Sequence, residues 1–111
     1  MSEEYNYDLV VVGGGPAGSS AAFAAAKNGI KVALIEKENS IAETVRTSGV
    51  TWIKSIKEFE IPENCYHPIK NFSFASPNNE VTISDSIPTA AVLDVRKTYR
   101  WLSEEAKKLG V

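Results

Sequence analysis

The sequence predicts an α/β fold, and three observations carry that expectation. An apolar run, Leu9 to Val12, leads into the turn Gly13-Gly14-Gly15-Pro16-Ala17-Gly18, which opens onto an alanine-rich stretch. A second short segment, Lys31 to Ile35, follows one helix length later. It ends on an acid, Glu36, eighteen positions after Gly18. Strand, glycine turn, helix, strand and terminal acid in this order predict a Rossmann-like β-α-β unit over residues 5–36, in which the acid is expected ~20 residues beyond the glycines.

Each part of that unit has its own physical cause. Gly13 allows the tight turn, Gly15 lets the backbone come close to a pyrophosphate, and Gly18 lets the helix lie against the strand. The first helical N–H groups then face the phosphates, and the helix dipole favours their negative charge. Ala21, Ala22, Ala24, Ala25 and Ala26 sustain the helix. Lys27-Asn28-Gly29 stops it, with Gly29 as the capping glycine. Lys31 to Ile35 reads as a fully buried strand. A carboxylate at its carboxyl end, Glu36, can accept both hydroxyls of an adenosine ribose; it suits a free 2′-hydroxyl and disfavours a 2′-phosphate. A glycine turn with no ligand leaves unexplained why three glycines take these offsets while an acid closes the next strand.

The remaining residues, 37–111, predict a helix, a hairpin and a carboxyl-terminal helix. Trp52, Ile53, Ile56 and Phe59 recur at helical spacing, so a helix is expected from about Val50 to Phe59. Glu60 to Pro68, with two prolines and Asn64, reads as a loop. Phe72 and Phe74 alternate with polar neighbours, Pro77-Asn78-Asn79 makes a turn, and Val81 and Ile83 alternate again, which is a hairpin. Ala90 to Val95 reads as a third short strand. Arg96 to Leu109 reads as a helix with Tyr99, Leu102, Ala106 and Leu109 on one face and Gly110 as its cap. A third parallel strand is expected to begin at Gly110-Val111, so the fold is read as incomplete at its carboxyl end and the chain as the amino-terminal portion of a longer design. The unpaired edge of the first strand is then expected to favour self-association.

Composition narrows the partners. At 43% hydrophobic and 23% charged residues the chain is ordinary for a globular domain, and a net charge of −2 gives no reason to expect nucleic acid. No apolar run approaches the ~20 residues of a membrane span. The polar, acidic start is not a secretory signal, and a single cysteine, Cys65, fits a reducing, cytoplasmic setting. Cys65 is read as a small buried filler. His67, the one histidine, excludes a multi-histidine metal cluster and is read as a solvated loop residue; no metal site is expected. Trp52 and Trp101 are read as core aromatics rather than ring-stacking groups.

The pattern Tyr7-Asp8, Val10 to Ser19, Val32, and Leu34-Ile35-Glu36-Lys37 resembles the amino terminus of FAD-dependent oxidoreductases. More narrowly it is similar to the geranylgeranyl reductase family of flavoproteins, with Glu43-Thr44-Val45-Arg46, Gly49 and Val92-Leu93-Asp94-Val95-Arg96 supporting the narrower match. The resemblance implies that Gly13, Gly15, Pro16 and Gly18 frame the FAD pyrophosphate, with Ala17 and Gly18 donating backbone N–H groups. It implies that Glu36 holds the adenosine ribose and Lys37 flanks the adenosine. Arg46 is then expected near the pyrophosphate or ribityl chain, and Arg96 on the cofactor from the opposite side. The implied activity is reduction of isolated polyprenyl double bonds in lipids, with reduced flavin as hydride source. Many members of that family carry a cysteine just after the arginine that Arg46 matches; here Thr47 and Ser48 follow, so a thiol proton donor is not supported and no catalytic residue is assigned. The family's later Gly-Asp stretch and substrate region are not in these residues, so the isolated chain is expected to be inactive. Two alternatives stay open: a flavin-dependent hydroxylase of related scaffold, and a non-catalytic dinucleotide-binding fragment. NAD is a less favoured ligand than FAD.

Overall fold

The computed structural model describes residues 2–111. They form seven strands, three α-helices and one 3-10 turn, in two units. The first unit runs to Val45 and resumes with Arg96–Val111; the second is Arg46–Val95.

In the first unit, β1 (Leu9–Val12), α1 (Pro16–Lys27) and β2 (Val32–Ile35) follow one another. β1 and β2 pair in parallel, Leu9 opposite Val32 through Val12 opposite Ile35, and α1 packs on both. Parallel neighbours need a crossover, and α1 supplies it. Asp8 closes the start of the ladder: its N–H donates to the Lys31 carbonyl at 2.9 Å and its carboxylate accepts from the Lys31 N–H at 3.0 Å. The expected α/β class and the first three elements are found as the sequence predicts them.

One expectation about this unit fails. β2 is not a fully buried strand: Val32 is buried, but Ala33 and Leu34 are half-buried and Ile35 is exposed. Val12 on β1 is 81% exposed. Among the described residues the parallel sheet has two strands and α1 covers it only in part, so Leu9, Val10, Val12 and Ile35 stand exposed.

The second unit holds an antiparallel sheet in the order β3-β7-β4, formed by Val50–Trp52, Ala90–Leu93 and Tyr66–Ile69. It also holds the helix α2 (Ile53–Glu58) and a hairpin, β5 (Asn71–Ala75) and β6 (Glu80–Ser84). The hairpin matches the sequence reading, with Phe72 opposite Ile83 and Phe74 opposite Val81. Its turn is closed by the Ser76 N–H, which donates to the Asn79 carbonyl at 2.7 Å.

Two readings are corrected here. Val50–Trp52 is a strand, not the first turn of a helix, and Trp52 is 64% exposed instead of lying in the core. Helical spacing and β-branched strand propensity both fit so short an apolar run, and pairing with β7 decides between them. Tyr66–Ile69 is also a strand rather than loop, despite Pro68. It lies at the sheet edge, where a residue without an N–H costs no ladder bond on its open side. His67 is exposed on that strand, and Cys65 is buried as expected. Gly49 is held at φ +79, and a Cβ there would meet the Leu93 carbonyl oxygen at 2.7 Å, so the entry to β3 requires glycine.

α3 (Val95–Lys108) carries the chain back into the first unit. Val95, Thr98 and Ala106 are buried, and Tyr99 and Leu102 are half-buried, so the expected face is right in its centre. Leu109 lies beyond the last helical turn and is exposed. No helix of the described residues is long and apolar enough to cross a membrane.

All three α-helices end in the same hydrogen-bonded pattern. Beyond α1, the Gly29 and Ile30 N–H groups donate to the Ala26 and Ala25 carbonyls; beyond α3, those of Gly110 and Val111 donate to Lys107 and Ala106. Beyond α2, the Glu60 and Ile61 N–H groups do the same to Lys57 and Ile56. This is the Schellman arrangement, which places a left-handed residue just past the helix. Gly29 and Gly110 meet that demand freely at φ +81 and +96, whereas Glu60 adopts φ +52 with a side chain. Left-handed backbone costs a residue with a Cβ about 1–2 kcal/mol, part of which glycine returns through its freer unfolded chain. Glu60→Gly is therefore expected to stabilise the chain by about 0.5–1 kcal/mol, read from the urea midpoint. A lowered midpoint would show that the Glu60 side chain contributes more than its backbone costs.

Candidate nucleotide site

The site is built where β1 runs into α1. Gly13 takes φ +103, a conformation that turns the chain sharply and that a side chain would oppose. Its N–H donates to the Ile35 carbonyl at 2.7 Å, so the parallel ladder continues one step into the turn. Gly18 is needed for a different reason. A Cβ there would sit well inside contact distance of the Gly13 carbonyl oxygen and 3.4 Å from Val11 Cγ1. The first turn of α1 thus rests directly on the backbone it has just left.

Gly15 has neither reason. Its φ of −70° is open to any residue, and nothing lies within 4 Å of the place its Cβ would occupy. The protein's own packing leaves the position over Gly15 clear, which suits close approach of a diphosphate. Donors without a partner in the helix follow it in the chain. Pro16 has no N–H, and the first intrahelical bond runs from the Ser19 N–H to the Gly15 carbonyl at 2.9 Å. The N–H groups of Ala17 and Gly18 therefore precede the helix ladder, and no side chain caps them. Ser19, fully buried, turns its hydroxyl back to the Gly14 carbonyl at 3.1 Å and leaves those donors open.

Glu36 completes the site from the end of β2. Oε2 accepts from the Gly14 N–H at 2.7 Å and Oε1 from the Glu38 N–H at 3.1 Å. A carboxylate offers about four acceptor sites, so acceptor capacity remains beside these bonds for a ribose hydroxyl. The Glu38 N–H, then the Gly14 N–H, hold the Glu36 carboxyl below its ordinary pKa because both bonds favour the ionised form. Lys37 is exposed beside it.

The segment after β2 is pinned from α3, which the sequence reading did not foresee. Arg96 Nε donates to the Ala42 carbonyl at 3.0 Å and its Nη2 to the Glu43 carbonyl at 3.1 Å. Arg100 Nε donates to the Ile41 carbonyl at 3.0 Å and its Nη2 to Ser40 Oγ at 3.2 Å. The spacing of the two arginines, four apart on one helix, was a usable signal. What they grip lies more than fifty residues away and could not be read locally. Of the expected site residues, Gly13, Gly15, Pro16, Ala17, Gly18, Glu36, Lys37 and Arg96 lie in the first unit. Arg46 is exposed and belongs to the second. No cluster of metal-ligating side chains occurs among the described residues.

A strand-turn-helix with open N–H donors, a clear glycine and an acid ending the paired strand is the arrangement that dinucleotide-binding proteins use. The chain belongs to the FAD dependent oxidoreductase family, whose model matches residues 8–70. It is 40% identical over 108 residues to the digeranylgeranylglycerophospholipid reductase of Methanocaldococcus jannaschii, across 94% of this chain and 27% of that protein. It is 35% identical over 106 residues to the geranylgeranyl diphosphate reductase of Rhodobacter capsulatus, across 94% of this chain and 26% of that one. Among solved structures it is similar to a geranylgeranyl bacteriochlorophyll reductase-like protein of Thermoplasma acidophilum. There the TM-score is 0.82 at 30% identity, covering 94% of this chain and 28% of that one. The chain thus spans little more than a quarter of the length of these relatives. The geranylgeranyl reductase resemblance seen in the sequence holds.

The pair formed by Glu36 and Gly14 gives a pH expectation. With its folded pKa depressed, Glu36 contributes stability that is complete above the ordinary glutamate range and is lost as the pH falls through the folded value. A carboxyl-carbon NMR titration should place the Glu36 midpoint below that of an ordinary glutamate, with the Gly14 amide signal moving in step. A normal midpoint and a static Gly14 amide would dissolve the pair.

Proposed function

We propose that this chain is the FAD-binding portion of a geranylgeranyl-reductase-like flavoenzyme, one that reduces polyprenyl double bonds in lipids. On this reading β1-α1-β2 opens a Rossmann-like domain. The single observation that carries the cofactor reading is at Gly15: no protein atom beyond its chain neighbours lies within 4 Å of the place its Cβ would occupy, while the uncapped N–H groups of the helix start follow it and Glu36 is bonded to the N–H of its neighbour Gly14. The substrate reading rests on the reductases named above, whose similarity runs over nearly the whole chain.

The residues present have defined tasks in that reading. Ala17 and Gly18 donate N–H groups to the pyrophosphate at the positive end of α1. Gly13 and Gly18 keep the turn tight enough to present them. Glu36 accepts the ribose hydroxyls and, being ionised, makes those bonds charge-assisted. Lys37 stands beside the adenosine. The FAD that these residues would hold would supply, once reduced by an external donor, a hydride equivalent for an isolated double bond, with a proton completing the addition. FAD is favoured over NAD because the family is FAD dependent.

Titration of the purified chain with FAD and with NAD tests the binding half of this reading. FAD should saturate and survive desalting better than NAD. Glu36→Ala should weaken FAD by ~10- to 150-fold, through loss of hydrogen bonds to a charged acceptor. Gly15→Val should abolish binding by filling the clear space. Equal FAD affinity in all three proteins would remove these residues from the site. For the reaction, the readout is a gain of one dihydrogen per double bond in a geranylgeranylated lipid; a hydroxylated product would assign the scaffold to other chemistry.

A further inference from the structure

The geometry points to Arg100, acting with Arg96, as a positioning residue for the adenosine half of the nucleotide site, by fixing residues 40–43 against Gly14. The inference deepens the dinucleotide reading above and rests on it for its ligand.

The chain of contacts is short and lies within the first unit. Arg96 and Arg100 stand four residues apart, on one face of α3. Together they donate to three consecutive carbonyls, Ile41, Ala42 and Glu43, and to the Ser40 hydroxyl. These carbonyls do not present themselves in a regular element: Ala42 is held at φ +54, a left-handed conformation that a residue with a Cβ rarely adopts. Two guanidinium forks supply the bonds that keep it there.

What the segment carries inward is Ile41. Its Cδ1 fills the space that a Cβ on Gly14 would need, so Ile41 packs on the backbone of the glycine turn. Gly14 is buried, and its N–H is the donor to Glu36 Oε2. Two further bonds tie the same segment to the acid-bearing end of β2. The Thr44 N–H donates to the Glu38 carboxylate at 3.3 Å and the Asn39 N–H to the Glu43 carboxylate at 3.2 Å. Arg100 therefore sets where Ile41 lies, Ile41 sets how closely Gly14 approaches Glu36, and that bond orients the ribose acceptor. Arg100 itself touches neither Gly14 nor Glu36 by a hydrogen bond; its effect passes through the loop.

The test uses the whole chain with ADP and FAD as probes, and the Gly14 amide signal of the ligand-free protein as a readout that global stability does not move. Arg100→Ala removes both bonds to Ile41 and Ser40; it should displace the Gly14 amide signal and weaken ADP and FAD by the same factor, about tenfold, the scale of one weakened hydrogen bond from the ribose to Glu36. Arg100→Lys keeps the charge but not the fork, and should recover part of both changes. Ile41→Ala removes the inner link without touching α3 and should displace the same signal; it also stands in if Arg100→Ala does not fold. An unmoved Gly14 amide in Arg100→Ala, or in Ile41→Ala, overturns the inference. Failure of the unaltered chain to bind either nucleotide overturns the dinucleotide reading instead, while the ligand-free amide signal still decides the positioning role.

Discussion

Glu36 ties the end of β2 to the turn that follows β1, through one hydrogen bond from the Gly14 N–H to its carboxylate. The bond is available because the two strands run in parallel and in register, Val12 opposite Ile35, with the Gly13 N–H adding one more rung to the Ile35 carbonyl. A slip of one residue would turn every side chain of β2 to the other face and carry Glu36 away from the turn. The glycine turn, the helix start and the acid are thus one mechanical unit. The ladder sets the register, the register places the carboxylate, and the carboxylate holds the turn in which the open N–H donors stand.

Three glycines in that turn act through three different constraints. Gly13 supplies a positive φ, Gly18 supplies the absence of a Cβ against a carbonyl oxygen, and Gly15 supplies clear space with no strain. The first two are needed for the protein to fold this way. The third is idle within the protein's own packing, which is why it carries the argument for a ligand. Gly14 joins them as a fourth case: its missing side chain is filled by Ile41, so the site is braced from the segment that α3 grips.

The second unit is decided by sheet position more than by local pattern. β7 lies between β3 and β4 and buries Ala90 and Ala91, while its partners leave Trp52 and His67 exposed. Pro68 sits in β4 because β4 is an edge, and Val50–Trp52 extends because β7 offers it a ladder. Residues 50–52 satisfied helical and strand patterns alike, and only the partner strand broke the tie. The end of α2 was equally hidden: Glu60 takes the place that Gly29 and Gly110 take after the other helices, so no glycine marked the stop.

By itself the sequence determined what local chemistry dictates. That covers β1, α1 and β2 with the acid after them, the hairpin across Pro77-Asn78-Asn79, and the long helix that Gly110 closes. Each is specified within a few residues, by a glycine where φ must be positive, by alternation where one strand face differs from the other, or by small side chains where backbones approach. Tertiary structure alone decided which short apolar run became a strand and how far β2 is covered. It alone also decided that Arg96 and Arg100 spend their guanidinium groups on the backbone of residues 40–43. Those outcomes depend on partners outside the local stretch, 38 to 42 positions away for β3 and 53 to 60 for the arginines, and a charged side chain on a helix surface carries no local mark of the carbonyl it will meet.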